Sequence, residues 1–238
     1  MEAMWDANSK ALLENVNRYT PNGGAELLMV RHSKREEPEE LHKLIDAPLT
    51  DEGRDGARRF AAALPTDRRY RLYHSPVERC AETAALVDGA LPDACRAGLE
   101  QGDFLFRINA VKESFAKFLR RDGDDIINHW MAGHYPPDEI QAPAEFVQAV
   151  QAEWMGLRTG NGDERSPERG VTHIFVSHDL HTAVCLYLWT GLFRGSEDMI
   201  EPMDGFFVED HGARMTVVTK DGVKDLATPY WWDSDDAS

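Results

Sequence analysis

The chain has 238 residues, enough to bury the core of one large domain, and 42 acidic against 26 basic residues give it a formal charge of -16. A surface this acidic repels phosphate backbones and anionic lipids, which excludes nucleic acid and acidic membranes as partners. Three cysteines without paired spacing supply neither a disulfide framework nor a zinc module, and no apolar run approaches membrane-spanning length, so a cytoplasmic protein is expected.

The N-terminal piece has helical spacing around Trp5 to Tyr19 and ends in the turn formers Thr20-Pro21-Asn22-Gly23-Gly24, so residues 1–24 read as a helical extension. Ala25 to Val30 is a short apolar run that stops abruptly on Arg31-His32, as a buried strand delivering side chains to a sheet edge does. Ser33 to Pro48 alternates charge without periodicity and reads as a loop. Thr50 then caps a helix whose first turn carries Asp51 and Glu52, where the helix dipole favours acids, and which runs to about Leu64.

Arg69 to His74 is a second strand, and Ser75-Pro76 places a cap and a first-turn proline for a helix to about Val87, with Arg79 one turn in. From 101 to 169 the pattern weakens into a helical insertion or cap. Phe104, Ile108, Val111, Phe115 and Phe118 share a helix face, and Ala144 to Leu157 is amphipathic after Pro143. Val171 to Val176 is an apolar strand ending in Ser177-His178-Asp179, followed by an apolar helix that stops near Gly191. Phe206 to Val208, Met215 to Thr219 and Val223 to Leu226 read as late strands, the last two joined by an Asp221-Gly222 turn. Residues 231–238 form an acidic tail on a single 25–230 domain. Strands alternating with helices define an α/β fold of three layers, a mostly parallel central sheet flanked by helices with late antiparallel additions.

In such sheets ligands bind at the carboxyl ends of the strands. Three ends here carry Arg31 with His32, Ser75 with Arg79 beyond it, and His178 with Asp179. A neutral imidazole is a nucleophile near neutral pH, and guanidinium forks match phosphate oxygens, so the set suits phosphoryl transfer. His178 with His181 and His129 with His134 have spacing seen in metal sites, but each pair lacks a third ligand; no metal and no cofactor are expected.

Leu28-Met29-Val30-Arg31-His32-Ser33 resembles the arginine-histidine-glycine signature of the histidine phosphatase superfamily, the phosphoglycerate mutase-like fold, with Ser33 in place of the glycine. Pro48-Leu49-Thr50-Asp51-Glu52-Gly53 looks like its proline-leucine-threonine-x-x-glycine segment. Ser75-Pro76-Val77-Glu78-Arg79 through Thr83-Ala84 is similar to its serine-proline-x-x-arginine-x-x-x-threonine-alanine motif, and Val176-Ser177-His178 to its second histidine motif. The matches fall in family order from Ala25 to Leu192.

The resemblance implies in-line attack by His32, oxygen binding by Arg31, Arg79 and His178, and a carboxylic acid that protonates the leaving group. Glu100, after Leu99, matches the position of that acid in the branch that includes the mutases. Asp179 matches its position in the acid-phosphatase branch, and Asp103 is a weaker third. Glu100 is the favoured reading, from the compact motif spacing. The implied activity is hydrolysis of a phosphate monoester on a small molecule or a phosphoprotein. The alternatives are a phosphoglycerate-type mutase or a non-catalytic phospholigand-binding protein, and the loop after Ser33, without the threonine and asparagine of many mutases, speaks against the mutase. Lys34 and Arg35 stand there as candidate substrate contacts or solvated charges.

Overall fold

The computed structural model describes residues 4–39, 43–44, 46–106, 112–159, 170–194 and 198–229. Among the described residues seven strands form one sheet: β1 (Ala25–Arg31), β2 (Arg69–His74), β3 (Arg96–Gln101), β4 (Val171–Ser177), β5 (Gly205–Asp210), β6 (Arg214–Thr219) and β7 (Gly222–Ala227). Their order is β3-β2-β4-β1-β5-β6-β7. The first four are parallel neighbours, and β5, β6 and β7 continue the sheet antiparallel from β1. Parallel and antiparallel pairings are therefore equal in number, a more even division than the alternation of strands and helices suggests.

Successive residues of β1 point to opposite faces and both faces are covered, which is why the run reads as continuously apolar. Leu28 and Val30 pack with Ile174, Val176 and Phe207 under three helices, α1 (Met4–Arg18), α2 (Asp51–Ala63) and α3 (Glu78–Ala90), through Leu12, Val16, Phe60 and Ala84. Leu27 and Met29 pack with Phe175, Phe206 and Val217 on the other face. That face is covered by α4 (Lys112–Asp122), α5 (Ile126–Met131), α6 (Pro143–Thr159) and α7 (Asp179–Thr190), through Phe118, Trp130, Phe146, Trp154 and Trp189. The described part of the 101–169 region thus shares one layer of the core with α7.

Its first helical turns differ from the spacing: Asp103–Phe106 is a short 3-10 turn, Ile108 and Val111 lie outside the described residues, and the helix begins at Lys112. The tail 231–238 also lies outside them. Among the described residues no helix is long and apolar enough to cross a membrane.

Candidate active site

The carboxyl ends of β1, β4 and β2 meet along one line, because Arg31 pairs with Ser177 and His74 with Val176. The residue that follows each end is therefore delivered to a common place: His32 from β1, Ser75 from β2 and His178 from β4. Arg79, in the first turn of α3, reaches in between them.

His32 is buried, with Nδ1 2.7 Å from the Ser33 carbonyl oxygen. That oxygen can only accept, so Nδ1 carries the proton and Nε2 keeps its lone pair. The Arg79 Nε–H donates to this Nε2 at 2.8 Å. A terminal Arg79 nitrogen lies 3.1 Å from His178 Nδ1, and His178 Nε2 lies 3.0 Å from the Ser75 hydroxyl. With guanidinium as the donor, His178 Nδ1 accepts and its proton sits on Nε2, facing Ser75. One arginine thus addresses both imidazoles through their lone pairs, with the rings 5.4 Å apart and edge to face.

Such an arrangement requires neutral rings. Burial, then the charges of Arg79 and Arg31, hold His32 well below the ordinary imidazole range, and burial followed by His181, His32 and Arg79 does the same to His178. Burial also lowers the Arg79 guanidinium. A third Arg79 N–H reaches the Leu44 carbonyl at 3.2 Å.

Arg31 lies beside this pair. It donates to the Ile200 carbonyl at 2.8 Å and faces the Asp179 carboxylate at 3.1 Å. Burial pushes the Asp179 carboxyl up, but the groups around it, the Arg31 charge first among them, hold it below the ordinary carboxylate range. Arg35 is close enough for its charge to lower both Arg79 and Asp179, although its side chain pairs with Glu37 at 2.9 Å.

Five of the six residues singled out from the sequence, Arg31, His32, Arg79, His178 and Asp179, are brought together. Glu100 is not among them. It sits on β3 opposite Tyr73, one residue before the strand's carboxyl end, with its carboxylate 3.0 Å from Arg71. Asp103 lies beyond the strand end and accepts from Gln101 at 2.8 Å.

Ser75 differs from its sequence reading. The helix starts later, at Glu78 with Val77 as its cap residue, and the Ser75 hydroxyl serves His178. By contrast Thr50 caps α2 as read, its hydroxyl accepting from Gly53 N at 2.9 Å. Gly53 is needed there, since a Cβ would stand 2.1 Å from the Lys34 carbonyl oxygen. Among the described residues no group of three His, Cys, Asp or Glu side chains is placed to hold a metal ion.

An α/β sheet with two histidines and two arginines gathered at its parallel strand ends is a phosphoglycerate mutase-like protein. The chain belongs to the histidine phosphatase superfamily (branch 1), whose family model matches residues 27–199. Among solved structures it is similar to YhfR of Bacillus stearothermophilus, with a TM-score of 0.57 at 19% identity over 84% of this chain and 98% of that one. It is also similar to a mycobacterial glucosyl-3-phosphoglycerate phosphatase complexed with VO3, with a TM-score of 0.60 at 14% identity over 82% and 98%. A phosphoglycerate mutase of Bacillus anthracis gives 0.53 at 17% identity over 86% and 92%. At these identities the likeness is one of fold. No curated protein sequence matches the chain.

Proposed function

We propose that the chain is a phosphatase that hydrolyses a phosphate monoester, carried by a small molecule or a protein side chain, through a phosphohistidine on His32. The observation that carries this reading is the pair of contacts on His32, Nδ1 2.7 Å from the Ser33 carbonyl oxygen and Nε2 2.8 Å from the Arg79 Nε, which leave the lone pair on the side of the arginine. A nucleophile needs that lone pair, and the transferring group needs fixed positive charge.

In the resting geometry Arg79 occupies the lone pair. An entering phosphate offers its oxygens as stronger, charged acceptors, so the Arg79 N–H groups turn from the two imidazoles to the phosphoryl group and free Nε2. The Nε2 pair then forms the N–P bond as the P–O bond to the leaving group breaks. Asp179 delivers a proton to that oxygen. Its carboxyl is ionised in the free protein, and a dianionic phosphate sharing Arg31 raises it to the protonated form. The resulting carboxylate takes a proton from water, whose oxygen attacks phosphorus, and the N–P electron pair returns to Nε2. Placement against Arg31 supports Asp179 in this role over Glu100.

His32→Ala tests the reading. Turnover of p-nitrophenyl phosphate should fall by about 10^4-fold or more, the scale expected on losing a nucleophile, with the circular dichroism spectrum unchanged. Free phosphate should be the product of the wild-type reaction. Substantial turnover by the variant would sink the assignment, and conversion of 3-phosphoglycerate by the wild type to its 2-phospho isomer in place of free phosphate would make the protein a mutase.

A further inference from the structure

Ser33 follows the nucleophile, is fully buried and stands where the superfamily signature has glycine. Three of its atoms are engaged. Its N–H donates to the Thr83 hydroxyl at 3.1 Å, its hydroxyl donates to the Gly53 carbonyl at 2.6 Å, and its carbonyl receives the His32 Nδ1 proton at 2.7 Å. Thr83 is also fully buried, and its own hydroxyl proton goes to the Arg79 carbonyl at 2.7 Å.

Glycine in this position would keep the N–H and the carbonyl but lose the tie to α2. That tie is short and anchored on a rigid turn. Gly53 lies in the first turn of α2, which is pressed on the backbone at Lys34, and Thr50 N also donates to the Lys34 carbonyl at 3.0 Å. Ser33, whose carbonyl accepts the His32 proton, is therefore held from both sides: Thr83 of α3 takes the N–H of the peptide before it, and α2 takes its hydroxyl.

We propose that Ser33 is a positioning residue: its hydroxyl, bonded to Gly53, fixes the carbonyl that holds His32 as the Nδ1–H tautomer with Nε2 facing the phosphate site. The proposal rests on His32 being the nucleophile. Once a bound phosphate has drawn the Arg79 N–H off Nε2, a carbonyl free to rotate away from Nδ1 lets the neutral ring place its proton on Nε2, which removes the lone pair from the phosphate side. The hydroxyl touches no reacting atom, so the loss appears in kcat while phosphate binding by Arg31 and Arg79 stays intact.

The test pairs kinetics with the imidazole nitrogen-15 spectrum of His32 in Ser33→Ala and Ser33→Gly. With inorganic phosphate bound, so that Arg79 is turned away from Nε2, wild type should show the neutral Nδ1–H form, and both variants a measurable share of Nε2–H. In both, kcat should fall by about tenfold with KM for p-nitrophenyl phosphate within about twofold, the scale of a small misplacement of a reacting group. Thr83→Val, which leaves the Ser33 N–H without an acceptor, should act in the same direction, and Thr83→Ser should restore the wild-type pattern. An unchanged tautomer in both Ser33 variants, or an unchanged kcat in an active protein, overturns the proposal. A shifted tautomer in a protein with no wild-type turnover keeps the latch and removes the phosphatase reading.

Discussion

The two edges of the parallel sheet carry opposite charge and treat it differently. At the edge where the parallel strands begin, Glu26 of β1 and Glu209 of the antiparallel β5 stand directly opposite each other, a pairing that repels when both are ionised. Glu209, the more deeply buried of the two, is held chiefly by backbone donors that cannot leave. Glu209 accepts from the backbone N–H groups of Asn22 at 2.9 Å and Gly24 at 2.7 Å and from the Tyr19 hydroxyl. Glu26 takes the Thr172 hydroxyl and faces Arg68 at 3.5 Å, and its carboxyl is raised, chiefly by burial.

At the carboxyl ends the polar groups are cationic, and their partners are exchangeable: imidazole lone pairs that a phosphate can replace. A buried polar cluster satisfied by backbone is a fastening, whereas one satisfied by side chains able to turn is a site.

Substitution at each edge should separate the two. Arg79→Ala should lower kcat/KM by about 10^3-fold, or ~4 kcal/mol, as loss of a phosphate-clamping arginine does, with the melting temperature nearly unmoved. Glu209→Ala should do the reverse. It leaves buried N–H groups without an acceptor, at a cost of about 3 kcal/mol in stability, read by urea unfolding, with turnover unchanged. Equal losses of activity and stability in either variant would erase the distinction.

The acid assignment gives the next effect. General acids contribute most when the leaving oxygen is basic, so Asp179→Asn should cost an alkyl phosphate about 10^2-fold in kcat and p-nitrophenyl phosphate far less. Glu100→Gln should leave both substrates unchanged. If the leaving-group dependence follows Glu100 instead, the carboxylate near the end of β3 is the acid, and Asp179 only balances Arg31.

What was legible in the sequence was whatever has a local cause. β1 and β4 announce themselves because both faces are buried, and Thr50 because a cap is a local hydrogen bond. Arg31, His32, Arg79 and His178 are legible because each sits immediately beyond a strand end or one turn into a helix.

β3 is not legible. It lies at the sheet edge, and its RAGLEQ sequence lacks an apolar run and contains Gly98 at φ 141, whose missing Cβ makes room for the Arg71 guanidinium. With β3 hidden, Glu100 reads as a loop acid free to reach the site, when its neighbour across the ladder is Tyr73 and its partner Arg71. The destination of the Ser75 hydroxyl was equally hidden: a serine before a proline looks like a cap, and its bond to His178 joins residues 103 positions apart.

The smallest effect concerns a histidine that is neither fastening nor clamp. His181 is buried one turn after His178, with its ring 4.5 Å from Phe146, 5.8 Å from Trp130 and 5.4 Å from His178. Burial lowers it to about 4. A histidine lowered in the native state binds a proton in the unfolded chain first, so stability is lost as pH falls below the unfolded value near 6.5 and levels off only below the native one. At pH 5.5 one such ring costs about 1.4 kcal/mol relative to pH 7.5. His32 and His178, also lowered, add to the same slope. His181→Phe should therefore remove about 1.4 kcal/mol from the acid loss while leaving the share of the other two in place. Because the comparison is between two pH values of one variant, packing changes made by the phenyl ring cancel. An acid slope identical in wild type and His181→Phe would mean that His181 takes up its proton in the native state, and that the aromatic wall beside the site is open to water.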